Sequence, residues 1–190
     1  MKLGFLVLGW AIYFFLHSLL ASDSTKTYFR KWLVSNYRYY RLGYVLFSVL
    51  GLLTLLVFNG SIYSAYYFNN EGIARYLSLV FAAFGVIIIK LAFRAYSLST
   101  FLGITVNEME PFKATGILAS IRHPIYSGTI LIVIGFWLFS PNMPTLISAI
   151  CVFVYLPIGI FLEERKLIKE FGDRYLDYKR KTPALFPKIF

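Results

Sequence analysis

This sequence predicts an all-α polytopic membrane protein with five transmembrane helices, a C-terminal helical hairpin and a cytoplasmic helical tail. Three observations carry the prediction. The 190 residues are 58% hydrophobic and 19% aromatic, with 15% charged, and mean hydropathy is +0.67. A soluble domain carries roughly 25% charged residues, and one of this size has too little interior to hide so much apolar surface. Uncharged runs recur at the ~20 residues that a helix needs to cross a bilayer. Lys and Arg gather in alternate connecting segments, as they do on the cytoplasmic side of membrane proteins. The same composition excludes a disordered chain. One Cys and two His exclude a disulfide scaffold and leave too little for a metal cluster, so no metal is expected.

The spans follow in order. Leu3 to Ser22 is uncharged between Lys2 and Asp23, and its length and its Trp10, Tyr13 and His17 set it apart from a cleavable signal peptide. The second span is placed at 42–62, with the aromatic stretch Tyr63 to Phe68 at the interface. The third covers 74–96, with Lys90 and Arg94 snorkelling to the headgroups. His123 to Leu162 carries no formal charge, and Ser140-Pro141-Asn142-Met143-Pro144 marks a turn in its middle. That makes a hairpin of two spans, 126–140 and 144–162. The tail, 163–190, reads as a helix from Glu163 to Tyr178, interrupted at Gly172 and ended by Thr182-Pro183. Leu167, Phe171, Tyr175 and Tyr178 recur on it at helical spacing, a pattern that reads as packing. With no repeat or linker, residues 1–190 form one domain.

Charge sets the orientation. Lys26, Arg30, Lys31, Arg38 and Arg41 lie in the first loop, and Lys113 and Arg122 in the third. Eight more basic residues follow Leu162. Five spans bring all three segments to one side, so the N-terminus is expected outside and the C-terminus in the cytoplasm, in a prokaryotic inner membrane. The net charge of +10 is then a collar against anionic headgroups. No soluble basic face offers itself to nucleic acid. The expected partners are membrane lipid and a lipophilic or small-molecule substrate.

Two polar clusters stand at the membrane boundary. In Arg122-His123-Pro124-Ile125-Tyr126, the proline biases His123 away from helix and starts one after it. Amides at a helix start suit an anion, although Arg and Tyr here also read as interfacial anchors. Glu163-Glu164 closes the last span, where helix dipole and lipid both disfavour carboxylates unless a cation meets them. The antiparallel hairpin brings the clusters together. An anion held at His123 and a cation held at Glu163 or Glu164 would suit a zwitterion, such as the amino-acid end of a cofactor.

These residues carry a family resemblance. Arg122, His123, Pro124, Tyr126 and Gly128, then Glu163, Glu164, Leu167, Phe171, Gly172, Tyr175, Tyr178, Pro183 and Pro187 resemble the pattern of isoprenylcysteine carboxyl methyltransferases. The related phospholipid methyltransferases share the glutamate pair. The front half, with His17-Ser18-Leu19-Leu20-Ala21-Ser22 and Tyr37 to Leu42, looks like bacterial members, including those grouped with methanethiol S-methyltransferase. The resemblance implies an S-adenosylmethionine-dependent enzyme acting on a lipophilic, thiol or carboxylate acceptor at the cytoplasmic face. It implies His123, Pro124, Tyr126, Glu163, Glu164 and Tyr175 as cofactor-binding residues, and Arg122 and Glu164 as catalytic ones. Where the eukaryotic pattern has an acceptor-binding arginine four residues before the first glutamate, this chain has Gly159.

Two other classes compete. A non-catalytic scaffold or transporter component would need polar groups deep in several spans. Here His17 is the ionisable group of the first span, and it reads as a hydrogen-bonded histidine packed near a span end. A membrane reductase with a similar C-terminal layout would bind a nicotinamide cofactor instead.

Overall fold

The computed structural model describes residues 1–95 and 112–187. Every regular element among them is helical: α1 (Lys2–Ala21), α2 (Asp23–Leu33), α3 (Tyr37–Ser61), α4 (Ile73–Ala95), α5 (Ile117–Ser120), α6 (Pro124–Phe139), α7 (Met143–Phe171) and α8 (Asp173–Lys181). Helices α1, α3, α4 and α7 are long and apolar enough to cross a membrane. Helix α6 is apolar but has 16 residues, roughly 24 Å of helix against a hydrocarbon core of about 30 Å. The expected third loop, from Ser97, lies mostly outside the described residues. Its end is ordered as α5, with Leu118 and Ile121 buried.

Two expectations are corrected. The first loop is a helix. Ser22 breaks α1 with extended backbone and caps α2 by accepting from the Thr25 amide at 3.3 Å. Asp23 in the first turn and Arg30 and Lys31 in the last suit the helix dipole, and α3 then starts at Tyr37 rather than 42. The helix of the last span does not end at Leu162. Helix α7 runs unbroken for 29 residues to Phe171, roughly 44 Å, so its last turns project past the hydrocarbon. Charge marks where lipid ends, but only Gly172, at φ +55°, ends the helix.

Side chains give the helix directions. Tyr13 donates to the Ser48 carbonyl (3.1 Å) and Tyr40 to that of Leu20 (2.6 Å), so α1 and α3 are antiparallel. Trp10 Nε1 donates to Ser148 Oγ (2.9 Å), and Ser18 Oγ lies 2.9 Å from the Tyr155 hydroxyl, so α1 and α7 run parallel. Ser148 Oγ donates to Asn59 Oδ1 (2.9 Å), and Asn59 Nδ2 donates to Thr145 Oγ1 (3.2 Å). Each group in this buried chain is partnered, as lipid requires.

Helices α4 and α6 are antiparallel and meet backbone to backbone. A Cβ on Gly85 would lie 2.5 Å from the Gly128 carbonyl oxygen, and one on Gly135 would lie 2.6 Å from that of Ser78. Small residues allow such an approach between membrane helices. Gly85→Leu is expected to force the pair apart and cost about 1–3 kcal/mol. A lower melting temperature and aggregation in detergent would report it. Gly4→Leu, which enters open space, should leave both unchanged.

Candidate active site

Pro124 opens α6 as its first residue, with His123 just outside the helix. Both are buried. The tail then folds back over this start. Arg122 N donates to the Pro183 carbonyl and His123 N to that of Ala184, each at 2.9 Å. Ser127 Oγ donates to the Leu185 carbonyl at 2.6 Å, and the Tyr178 hydroxyl to that of Leu118, also at 2.6 Å. Residues 183–185 thus form a strap across the hairpin's mouth, and the backbone amides just ahead of α6 are occupied by it.

The adjacent glutamates have separate surroundings, because consecutive helix residues point about 100° apart. Glu164 is buried. Its Oε1 accepts from Arg122 Nη2 at 2.6 Å and Nε at 3.1 Å, and lies 3.2 Å from His123 Nε2; its Oε2 lies 2.5 Å from Lys179 Nζ. Arg122 Nη1 also donates to the carbonyls of Lys179 and Thr182. The result is a clamp joining α6, α7 and α8. Burial alone would raise the Glu164 carboxyl, but the bonds from Lys179, Arg122 and His123 outweigh it and hold it at about 2.

Glu163 is half-exposed, with Oε2 3.7 Å from His123 Nδ1. It faces a cavity of about 200 Å³ enclosed by the ends of α5, α7 and α8. Phe112, Lys113, Leu118, Arg122, Leu167, Glu170, Phe171, Tyr175 and Tyr178 complete the wall. Phe112 centres an aromatic box, with ring centroids 5.4 Å from Phe171, 6.2 Å from Tyr175 and 5.3 Å from Tyr178. Tyr175 is 1% exposed, yet its hydroxyl has no hydrogen-bond partner among the described residues. Burial, chiefly, pushes the Tyr178 phenol up to about 12 and the Tyr175 phenol above its usual range, so both stay neutral.

Of the residues singled out in the sequence, Arg122, Glu163 and Tyr175 line this cavity, while His123, Pro124, Tyr126 and Glu164 stand behind it. Sequence reading missed Phe112, Lys113 and Lys179, which carried no local signal. It took Leu167, Phe171 and Tyr178 as packing, although they also form the wall. Gly159 has a physical reason: a Cβ there would lie 3.0 Å from the Tyr126 hydroxyl. A phenol fills the place where the resembled pattern has an arginine. On another side of α7 a second, apolar cavity of about 450 Å³ runs along Ile130, Phe153, Pro157, Ile160 and Leu185 to Glu164.

A carboxylate on the projecting end of α7 and an aromatic box beside it, strapped by the tail, describe a helical membrane protein with a charged, aromatic-walled cavity at one face. The chain matches the family model described as phospholipid methyltransferase over residues 73–174, and it belongs to that family. Among its relatives is methanethiol S-methyltransferase 1 of Bradyrhizobium diazoefficiens, 41% identical over 78 residues, which are 40% of this chain and 26% of the relative. A methanethiol S-methyltransferase of Mycobacterium tuberculosis is 36% identical over 40% of this chain and 30% of its own. Protein-S-isoprenylcysteine O-methyltransferase of Schizosaccharomyces pombe is 33% identical over 44% of this chain and 36% of its own. The chain thus spans about a quarter to a third of the length of these relatives. No solved structure matches it.

Proposed function

We propose that this chain is an S-adenosylmethionine-dependent methyltransferase that methylates a small thiol at the cytoplasmic face of the membrane. The observation that carries the reading is the cavity of Glu163, the Phe112 aromatic box and the unpartnered Tyr175 hydroxyl, formed within and beside the family match. Its residues fit the cofactor's groups. Glu163 suits an ammonium, Lys113 a carboxylate, the aromatic rings an adenine or a sulfonium, and Tyr175 a ribose or adenine acceptor atom. When bound, the cofactor supplies an electrophilic methyl group. The chain's part is to hold donor and acceptor in line and to exclude water, worth up to about 7–11 kcal/mol. In this reading Arg122 and Glu164 act by locking α8 and the strap over the cavity. His123, Pro124 and Tyr126 shape the wall behind Glu163.

The thiol rests on two supports: the names of several relatives, and Tyr126 at Gly159, which leaves that place no cation for an acceptor carboxylate. The apolar cavity beside α7 favours a second acceptor, a thiol with a lipid chain. Five spans agree with the parallel course of α1 and α7, and with α6 lying antiparallel to α4 along its length; the N-terminus outside rests on the placement of the basic residues.

The test is titration calorimetry of the detergent-solubilised chain with S-adenosylmethionine. It is followed by mass spectrometry of products from ethanethiol, dodecanethiol and an isoprenylcysteine analogue. Binding with methylation of a thiol supports the proposal; no binding, or methylation of the carboxylate alone, overturns it. Tyr175→Phe removes a hydroxyl with no partner to lose, so cofactor affinity is expected to fall about 5- to 10-fold, one hydrogen bond's worth. The melting temperature of the ligand-free protein should not fall. A lowered melting temperature with unchanged affinity would assign the hydroxyl to folding.

A further inference from the structure

Helix α2 lies at the ends of the membrane helices. The membrane-length runs on either side of it end at Ala21 and begin at Tyr39. Tyr40 on α3 reaches the Leu20 carbonyl at the end of α1, and Phe29, midway along α2, stacks on Tyr40 with centroids 4.7 Å apart. The helix therefore rests on the lipid boundary. Lys26, Phe29 and Leu33 are half-buried on its inner side, at spacings of three and four residues. Tyr28 and Trp32, also four apart, are exposed, and both are residue types at home among headgroups.

The inner side of α2 brings like charges together. Lys166, one turn past Leu162 on α7, pairs with the half-exposed Asp23 at 3.3 Å, and the Lys26 ammonium lies beside that of Lys166. Arg41, near the start of α3, is within electrostatic reach of Lys26. Cations from three helices thus gather around the Asp23 carboxylate, with positive charge in excess. Burial, and then the neighbouring Lys166 ammonium, bring Lys26 down to about 8, because each charge disfavours the other. Packing alone gives no reason to hold two ammonium groups side by side. An anion with several acceptor oxygens between them does, and a phosphate is such an anion.

We propose that Lys26, Lys166 and Arg41 hold the phosphate of an anionic phospholipid headgroup, so that one lipid of the leaflet ties α2 to α7. The membrane is the source because the site lies where α1 ends and the membrane run of α3 begins, on the helix that carries Tyr28 and Trp32. Anionic headgroups are concentrated at that level. A zwitterionic headgroup would bring a cation of its own among the three already there, so the site selects for net negative charge. Lys166 stands about one helical turn from Glu163, and the lipid therefore also steadies the projecting end of α7. The site is independent of the chemistry proposed for the cavity.

The test is native mass spectrometry of the full chain in neutral detergent, titrated with dioleoylphosphatidylglycerol or dioleoylphosphatidylcholine. Phosphatidylglycerol should be retained at roughly 10-fold lower concentration than phosphatidylcholine, the difference that one charged hydrogen bond makes. Lys26→Gln should weaken phosphatidylglycerol binding about 10-fold. Its melting temperature without added lipid should hold or rise, because a repulsion is relieved. Lys31→Gln, at an exposed position of the same helix, removes the same charge and should change binding less than about 2-fold. Equal losses in the two variants, or no preference for phosphatidylglycerol, would leave only the general attraction of a basic collar and overturn the proposal. A lower melting temperature of lipid-free Lys26→Gln would make Lys26 a structural partner and also overturn it. Inorganic phosphate in millimolar excess should leave the lipid in place. Displacement of the lipid by it would assign the site to a soluble phosphate, against the proposal.

Discussion

Glu164→Ala is expected to release the tail and unfold the end of the protein that carries the site. The carboxylate is the shared partner of Arg122, His123 and Lys179, and its removal leaves the Arg122 side chain, 9% exposed, without its ion-pair partner. Breaking one side of a buried pair costs about 3–5 kcal/mol. The change should appear as a lower melting temperature in detergent. Trypsin should also cleave faster at Lys179, Arg180 and Lys181. Acid should mimic the substitution. The folded-state carboxyl is held at about 2, below its ordinary 4.5. The clamp's contribution is therefore fully present above that ordinary value and is lost as pH falls through about 2. Melting temperature should drop over that window in the native chain and much less in Glu164→Ala. An unchanged tail in the variant would show that Pro183, Ala184 and Leu185 hold the strap by backbone contacts alone.

Glu163→Ala should have the complementary signature. Glu163 is half-exposed, so its loss should barely change the melting temperature. In the proposed site it is the ammonium's counter-charge, and a hydrogen bond to a charged group is worth about 1.5–3 kcal/mol. Cofactor affinity should fall roughly 10- to 100-fold, with turnover at low cofactor concentration falling in step. Glu163→Gln, which keeps the shape and loses the charge, should fall nearly as far. Full affinity in both variants would move the ammonium site elsewhere, with Glu170 on the same cavity wall the next residue to test.

The two expectations differ because of rotation about one helix axis. In the sequence Glu163 and Glu164 are a single feature, two carboxylates after a long uncharged run, and either could have met the cation. Only the packing of α6 and α8 against α7 turns one inward to a guanidinium and an ammonium and leaves the other at the cavity. Lys179 could not have been chosen from among the eight basic residues of the tail. Gly159 looked like a missing arginine, and only the position of the Tyr126 hydroxyl shows that the site is filled.

The sequence alone determined what depends on order along the chain. Uncharged run length set the membrane helices, Ser140 to Pro144 set the hairpin, and Gly172 with Thr182-Pro183 set the breaks in the tail. Such signals are local: a backbone either can or cannot continue a helix, and a segment either can or cannot sit in lipid. The tertiary structure decided what depends on contacts across the chain. It carried α7 past the end of the uncharged run at Leu162, assembled the Phe112 box and tied the strap to the hairpin. The direction in which a side chain faces, and what meets it there, is settled only when the helices pack.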